Sequence, residues 1–234
     1  GNSGREHFNP LDDFGAMIED VQGPETCNTY NMLRLTKMLY KSTPQVQLMD
    51  YYEKALFNHI LSSEEPERGG FVYFTPMRPG HYRVYSQPET SFWCCVGTGL
   101  ENHAKYGELI YAHDKDALYV NLFIPSRLTW KEKGLVLAQH TRFPNNGTMN
   151  FTFEEAESKK LALKLRIPSW VKEPEKIEVS VNDEWLGYGA VTGEYLTLER
   201  KWKKGDRVVL RLPLQVNLVQ LPDKSPFYAF QYGP

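Results

Sequence analysis

Three cysteines and one nearby glutamate are the residues of this sequence whose types and spacing could do chemistry. Cys27 lies two residues after Glu25, and Cys94 and Cys95 are adjacent. A disulfide between the adjacent pair would close a strained ring, and an odd number of cysteines leaves one thiol over. Three thiolates and a carboxylate would instead complete the tetrahedral shell of a zinc ion. Buried free thiols are the simpler alternative, because cysteine is often fully buried.

Each cysteine motif lies at the predicted start of a helix. Apolar residues recur at helical spacing from Thr29 to Tyr40, directly after Cys27, and a further helix is predicted from Phe92 to about Tyr106. The dipole at a helix N-terminus stabilises thiolates, which makes them better ligands and better nucleophiles. Since a closed zinc site with four protein ligands is usually structural, a structural and a catalytic role both stay open at this point.

The remaining elements predict an α+β protein of two domains. Val46 to Leu61 has helical spacing, and 71–86 is predicted to be an irregular loop or hairpin. From Ala117 onward the apolar period is two, which is typical of an antiparallel β-sandwich. The predicted strands are 118–124, 161–167, 177–181 and 207–212. We place the domain boundary near residue 114, which divides the chain into 1–114 and 115–234.

Composition excludes some classes of partner. The net charge of -2 gives no electrostatic footprint for nucleic acid or an anionic membrane. No apolar run approaches the roughly 18 residues that a membrane helix needs. The 14 Tyr, 12 Phe and 5 Trp could stack on sugar rings, although such side chains also fill ordinary cores. A homo-oligomer is compatible with the sequence.

Two motifs resemble glycoside hydrolase family 127, whose known members include β-L-arabinofuranosidases and to which family 146 is related. They are GPETCNTYNMLRLT at 23–36 and SFWCCVGTGLEN at 91–102. The likeness continues through 118–126, 165–170 and Gly205-Asp206, so it covers nearly the whole chain. The resemblance implies the C-terminal portion of an (α/α)6 barrel in 1–114, followed by a β-sandwich in 115–234. The earlier barrel helices would be absent, and this piece could be inactive alone.

The resemblance also implies roles for individual residues. Glu25, Cys27, Cys94 and Cys95 would bind Zn²⁺, with Cys94 also the nucleophile. Glu6 would be the acid/base, with Glu19 as the alternative. Four further residues could line the sugar pocket: His7, Tyr73, Tyr82 and Trp93. Ordinary packing explains the first three about as well, and a tryptophan beside buried ligands is more often part of the core.

Our leading hypothesis is therefore a zinc-dependent retaining glycosidase that acts on L-arabinofuranosides or similar plant-type glycans. The alternative is a non-catalytic carbohydrate-binding or scaffold protein with a structural zinc. The resemblance suggests a bacterial protein of the periplasm or cytoplasm. The compartment is left open, because an N-terminal targeting region is expected to be missing from this chain.

Overall fold

The computed structural model of the chain describes residues 3–4, 6–8, 14–187 and 189–234. The chain forms two compact units. The first contains 1–44, 51–106 and 217–231, and the second contains 45–50, 107–216 and 232–234. Helices and sheets are both present, which confirms the mixed α+β class, while the boundary near residue 114 stays a prediction. Across the described residues, no helix is both long enough and apolar enough to cross a bilayer.

The first unit contains most of the helical residues. It begins with a small hairpin of two strands, β1 (Ser3–Gly4) and β2 (His7–Phe8). The helices are α1 (Gly15–Glu19), α2 (Thr26–Ser42), α3 (Val46–Ala55), whose first residues belong to the second unit, and α4 (Cys94–His103). The predicted helix from Thr29 to Tyr40 is confirmed within α2, whose buried face includes Cys27, Leu33 and Tyr40.

The second predicted helix is not regular over its whole length. The α-helical geometry of α3 ends at Ala55, and the chain continues as a π-helical turn, Leu56–Ile60, and a 3-10 turn, Leu61–Ser63. A π-helical turn contains an extra residue and therefore shifts the side chains that follow it around the helix axis. Helical spacing of apolar residues could not reveal this change.

Helix α4 packs closely on the loop before it. A Cβ atom at Gly99 would lie 2.7 Å from the ring of Phe71, whereas a Cβ atom at Gly97 would meet nothing within 4 Å. Gly99 is thus required by the close approach of the helix to an aromatic ring. Gly97 faces open space on the same helix.

The second unit contains two sheets. Its strands are β3 (Tyr111–His113), β4 (Ala117–Val120), β5 (Ser126–Trp130), β6 (Leu135–Thr141), β7 (Thr148–Glu155), β8 (Glu157–Arg166), β9 (Glu178–Val181), β10 (Glu184–Trp185), β11 (Tyr195–Lys203) and β12 (Arg207–Arg211). One sheet has the order β10-β9-β12-β7-β6-β5, and the other has the order β11-β8-β4-β3. A further hairpin of β13 (Val216–Gln220) and β14 (Tyr228–Tyr232) follows along the chain, and its residues 217–231 belong to the first unit.

One strand pairing corrects the prediction of a wholly antiparallel sheet. Strands β4 and β8 pair in parallel, with Leu118 opposite Leu163. Parallel neighbours need a long connection, and β5, β6 and β7 lie between these two strands in the chain. The alternation of apolar residues is the same in both orientations, so the sequence pattern could not distinguish them.

The core of the second unit is mainly aliphatic, and it also contains buried aromatic side chains and a buried arginine. The ring of Phe153 on β7 stacks on the ring of Trp202 on β11, with centroids 4.3 Å apart. Strands β7 and β11 belong to different sheets, so each sheet contributes one of the two stacked rings to a shared core. Arg166 on β8 is completely buried, and its Nη1 lies 2.6 Å from Oδ1 of Asp50.

Candidate metal centre

The segment that carries Glu25 and Cys27 is held by backbone hydrogen bonds to the loop that precedes α4. The amide of Thr26 donates to the carbonyl of Tyr73 at 2.9 Å, and the amide of Thr75 donates to the carbonyl of Pro24 at 2.9 Å. These two bonds make an isolated antiparallel bridge around Glu25. Helix α2 begins directly afterwards, so Cys27 is placed in its first turn.

Glycine is required just before this bridge. Gly23 has a φ of +69°, and a Cβ atom there would lie 2.3 Å from the carbonyl oxygen of Thr75. Only glycine combines the left-handed backbone conformation with this close approach. Gly23, the first residue of the motif at 23–36, therefore allows the segment of Glu25 and Cys27 to lie close to the backbone of Thr75.

The adjacent cysteines occupy the first two positions of α4. Trp93 precedes them with an extended backbone, and the helix begins at Cys94. Cys95 is buried, whereas Cys94 is exposed. The two neighbours thus have different surroundings, and Cys94 is the accessible thiol.

The four predicted ligands lie together in the structure. Their ligand atoms all lie within 4.8 Å of one another, and the group could hold a metal ion. Oε1 of Glu25 is 3.9 Å from the sulfurs of both Cys94 and Cys95, and those two sulfurs are 4.0 Å apart. The sulfurs of Cys27 and Cys95 are closer, at 3.2 Å.

The size and composition of this cluster fit a tetrahedral zinc ion. A Zn–S bond of about 2.3 Å places two sulfurs about 3.8 Å apart on the edge of a tetrahedron. The contacts of Glu25 with the cysteines and the Cys94–Cys95 separation are close to such edges. The shorter contact between Cys27 and Cys95 would open by roughly half an ångström. Three sulfurs and one carboxylate oxygen are ligands that zinc accepts.

Burial makes the cluster unfavourable for negative charge unless a cation is bound. Burial raises the pKa of the Cys27 thiol to about 11, and burial together with the neighbouring Cys27 thiol raises the pKa of Cys95. Burial and then the negative charge of Glu6 raise the pKa of Glu25. A divalent cation reverses this preference, because it stabilises the thiolates and carboxylate that bind it. The donor set is therefore suited to a cation.

Tyr73 connects Glu6 with the exposed cysteine. The Tyr73 hydroxyl donates a short hydrogen bond to the carboxylate of Glu6, and it accepts one from the Cys94 thiol at 3.4 Å. These hydrogen bonds, led by the one from Cys94, raise the pKa of Tyr73. Glu6 lies between β1 and β2 with a φ of 70°, an uncommon conformation for a residue other than glycine. A carboxylate and a thiol thus face the same hydroxyl group.

The structure brings some of the other predicted residues to this cluster. The ring of Trp93 contacts the ring of Tyr73 edge-on, with centroids 5.8 Å apart. Tyr82 is instead 70% exposed and lines a groove of about 860 Å³. The side chain of His7 lies outside the described part of the chain. Glu19, the alternative acid/base, is 3.9 Å from exposed Arg78.

Two residues near the cluster escaped the sequence analysis. Oγ1 of Thr98 lies 3.2 Å from the sulfur of Cys27, and it also donates to the Cys95 carbonyl at 3.4 Å. Its position three residues after Cys95, one helical turn, was the available signal. The other residue is His59, whose ring nitrogens lie within hydrogen-bonding distance of the hydroxyls of Thr29 and Thr75. No sequence pattern indicated it.

Two models of protein domains match most of the chain. Residues 1–108 match the model of the GH127 catalytic domain of β-L-arabinofuranosidases, and residues 117–214 match the model of the GH127 middle domain. No curated protein matches the chain.

Solved structures resemble the chain in fold. One is a GH127 β-L-arabinofuranosidase from Geobacillus stearothermophilus T6, with a TM-score of 0.76 and 23% identity over 92% of this chain. Another, described as a glycoside hydrolase, has a TM-score of 0.78 and 23% identity. A third, a GH127 β-arabinofuranosidase, has a TM-score of 0.76 and 24% identity. The second and third also cover 92% of this chain, which spans only 37 to 38% of the length of the three structures.

Proposed function

Because the chain belongs to glycoside hydrolase family 127, we propose that it is part of a zinc-dependent retaining glycosidase that acts on L-arabinofuranosides or similar plant-type glycans. The observation that carries this proposal is the arrangement around Tyr73. An exposed thiol, Cys94, and a carboxylate, Glu6, face the same hydroxyl beside a cluster suited to a metal ion. A retaining glycosidase needs one nucleophile and one acid/base group close together.

Glu25, Cys27, Cys94 and Cys95 would hold the zinc ion. When bound, zinc keeps the thiols ionised and gives them a fixed orientation. Cys94 is the accessible member of this group, so it is the one that a sugar can reach. Buried Cys95 and Cys27 serve as supporting ligands, together with the carboxylate of Glu25.

The proposed reaction proceeds in two displacements. Cys94 attacks the anomeric carbon while Glu6 gives its proton to the leaving oxygen, which produces a thioglycoside on Cys94. Glu6 then takes a proton from a water molecule that attacks the same carbon, and the thiolate leaves. Each displacement inverts the anomeric centre, so the product retains the original configuration. Tyr73 orients the carboxylate of Glu6 by donating to it.

Two aromatic residues next to this pair are candidates for contacting the sugar. Tyr73 and Trp93 are in mutual contact beside Cys94, which supports the predicted substrate-binding roles of both. His7 and Tyr82 keep their predicted roles as proposals, with less support, since Tyr82 lines a separate groove.

We also propose the domain organisation that the family implies. Residues 1–114 would be the closing part of an (α/α)6 barrel, and 115–234 would be a β-sandwich domain. The helical content of the first unit and the contact of Phe153 with Trp202 between the two sheets of the second unit support this assignment.

The test uses an activated substrate, 4-nitrophenyl β-L-arabinofuranoside, and the Glu6→Gln variant of the zinc-loaded protein at the full length of its relatives, because this chain spans only 37 to 38% of that length. Nitrophenolate leaves without help from an acid, whereas the thioglycoside still needs a base for hydrolysis. We therefore expect a burst of nitrophenol and a pentose adduct that peptide mass mapping assigns to Cys94. Turnover should fall by about 10²- to 10⁴-fold. The control is Glu89→Gln, an exposed glutamate in the loop before α4, which should behave like the wild type.

A second variant tests the nucleophile directly. Cys94→Ser should form no adduct and release no product. Robust hydrolysis by this variant, or an adduct on Cys27 or Cys95, would refute the assignment of Cys94 as the nucleophile.

The closed shape of the cluster favours one alternative function. Four protein ligands, two of them buried thiols, are the usual composition of a structural zinc site. In that case the chain is a carbohydrate-binding or scaffold protein in which the metal only stabilises the fold. Binding of arabinofuranosides in calorimetry, with zinc bound but no adduct or turnover in any assay of the protein at the full length of its relatives, would favour this alternative.

A further inference from the structure

His59 lies in the π-helical turn Leu56–Ile60 and joins two other segments of the first unit. Its Nδ1 is 2.7 Å from the hydroxyl of Thr29, and its Nε2 is 3.0 Å from the hydroxyl of Thr75. Both ring nitrogens are thus used. A neutral imidazole donates from one nitrogen and accepts at the other, so each threonine takes the complementary role.

Each of these threonines belongs to a segment that builds the metal centre. Thr29 is buried on α2, two residues after Cys27. Thr75 donates its amide to the carbonyl of Pro24, which is adjacent to Glu25. The imidazole therefore links the first turn of α2 to the loop segment 73–75, which forms the isolated bridge with Glu25.

The loop segment 73–75, which contains Thr75, also contacts the other two ligands, Cys94 and Cys95. The carbonyl of Tyr73, two residues earlier, accepts from the Thr26 amide and lies 3.8 Å from the sulfur of Cys95. The Tyr73 hydroxyl contacts Cys94. The segment 73–75 therefore contacts both pairs of ligands, and its position relative to α2 bears on how the two pairs face each other.

We infer that His59 is a positioning residue, which fixes the segment of Glu25 and Cys27 against the loop segment 73–75. This inference rests on the proposed function, because it needs the cluster to bind a metal ion. Among the hydrogen bonds of the described residues, His59 makes none to the four ligands, so we argue that it acts through the two threonines. The π-helical turn supports the inference, since such turns are rare and frequently occur at functional sites.

The imidazole ring is suited to this role by its shape. It presents two hydrogen-bonding nitrogens at different edges of one rigid ring, and therefore reaches two hydroxyls that lie on different segments. A glutamine amide would satisfy at most part of this geometry, and a phenylalanine would fill the space without either hydrogen bond. Removal of the imidazole leaves the buried hydroxyl of Thr29 without this bond. The first turn of α2 then loses one link to the segment 73–75, while the hydrogen bonds of Thr26 to that segment remain.

The experiment measures Co²⁺ binding to the 234-residue chain rather than activity. Co²⁺ in a thiolate site gives a sulfur-to-metal charge-transfer band, and its visible spectrum reports the coordination geometry. The variants are His59→Phe and Thr75→Val, which remove the hydrogen bonds. Valine has nearly the shape of threonine, whereas phenylalanine is somewhat larger than histidine and tests the loss of the bonds without leaving a cavity. The matched control is His140→Phe, at an exposed position on β6. All titrations are made below the unfolding temperature of each metal-free variant, as measured by circular dichroism.

We expect both variants to bind Co²⁺ about 10- to 100-fold more weakly than the wild type, which is the usual cost of losing a residue that orients metal ligands. Their visible spectra should also change, and a role confined to fold stability would alter neither quantity while the protein is folded. The control should match the wild type. Combining His59→Phe with Thr75→Val should weaken binding little beyond His59→Phe, because the Thr75 contact is already lost.

The possible failures are distinguishable. If the wild type shows no charge-transfer band, the proposed metal centre is wrong and the inference falls with it. If the wild type shows the band and both variants match it in affinity and spectrum, His59 does not position the site, although the proposed function stands. Should His59→Phe fail to fold, Thr75→Val decides the question by the same comparison.

Discussion

His59 should make the stability of the first unit depend on pH. Burial lowers the pKa of His59 from 6.5 to about 4, and nearby positive charges, among them that of Arg83, add to this effect. The unfolded chain has the ordinary pKa, so between about pH 6.5 and 4 it binds a proton that the folded chain does not. Stability is unaffected by this group above about pH 7, and it is lost progressively as the pH falls through this window.

The expected size of the effect follows from the two pKa values. They differ by about 2.5, and one pKa unit corresponds to about 1.4 kcal/mol, so the full loss at pH 4 is roughly 3 kcal/mol. At pH 5, where the folded group is mostly neutral and the unfolded group mostly charged, the loss is about 2 kcal/mol. A difference of that size is well above the error of native-state hydrogen exchange.

Amide hydrogen exchange on the metal-free chain gives the local free energy of opening. The amides of α2 report on the first unit, and those of β8 in the second unit serve as an internal reference. We compare the wild type with His59→Gln, which cannot titrate, at pH 8 and pH 5. Other acidic groups are common to both proteins, so their contributions cancel in the comparison.

From pH 8 to pH 5 the wild type should lose about 2 kcal/mol more of α2 protection than His59→Gln. The β8 amides should show no such difference. Equal pH dependence of α2 protection in the two proteins would refute the claim that His59 is held neutral by its surroundings.

Two pairs of substitutions test the packing that supports the site and the second unit. Gly99→Ala should destabilise the chain by roughly 1 to 2 kcal/mol in thermal or urea unfolding, because the new Cβ atom meets the ring of Phe71. Gly97→Ala should instead stabilise the chain by up to about 1 kcal/mol, because its Cβ atom meets nothing. A change of the same sign in both variants would contradict this packing. Asp50→Ala should cost about 3 to 5 kcal/mol in urea unfolding, because it removes the carboxylate that pairs with buried Arg166. Glu178→Ala, which breaks an exposed ion pair, should cost less than about 1 kcal/mol, and equal losses would show that burial does not set the difference.

Some of the fold and the site could be predicted from the sequence. The apolar spacing of α2 and the alternation in β8 gave those elements close to their observed bounds. The family models confirm the resemblance that the two cysteine motifs indicated. The four proposed ligands could be named because their types match the chemistry of one ion, and the structure brings them together.

Other features could not be predicted, for physical reasons. The π-helical turn leaves the apolar spacing of α3 almost unchanged, so the position of His59 was invisible. Tyr73 and Tyr82 lie in the same irregular loop, where no periodicity indicates which side chain faces the site. Of these two tyrosines, Tyr73 is the one for which the described hydrogen bonds include a contact with Cys94. The parallel pairing of β4 and β8 is set by the path of the chain, which local patterns do not record.

The account depends most directly on the composition of the metal centre. X-ray absorption spectroscopy of the zinc-loaded chain would measure it. We predict one zinc ion per chain with three sulfur neighbours at about 2.3 Å and one oxygen neighbour at about 2.0 to 2.2 Å. The Glu25→Ala variant should lose or replace only the oxygen neighbour. A shell made of nitrogen and oxygen alone, or failure to bind zinc in stoichiometric amount, would contradict the central claim.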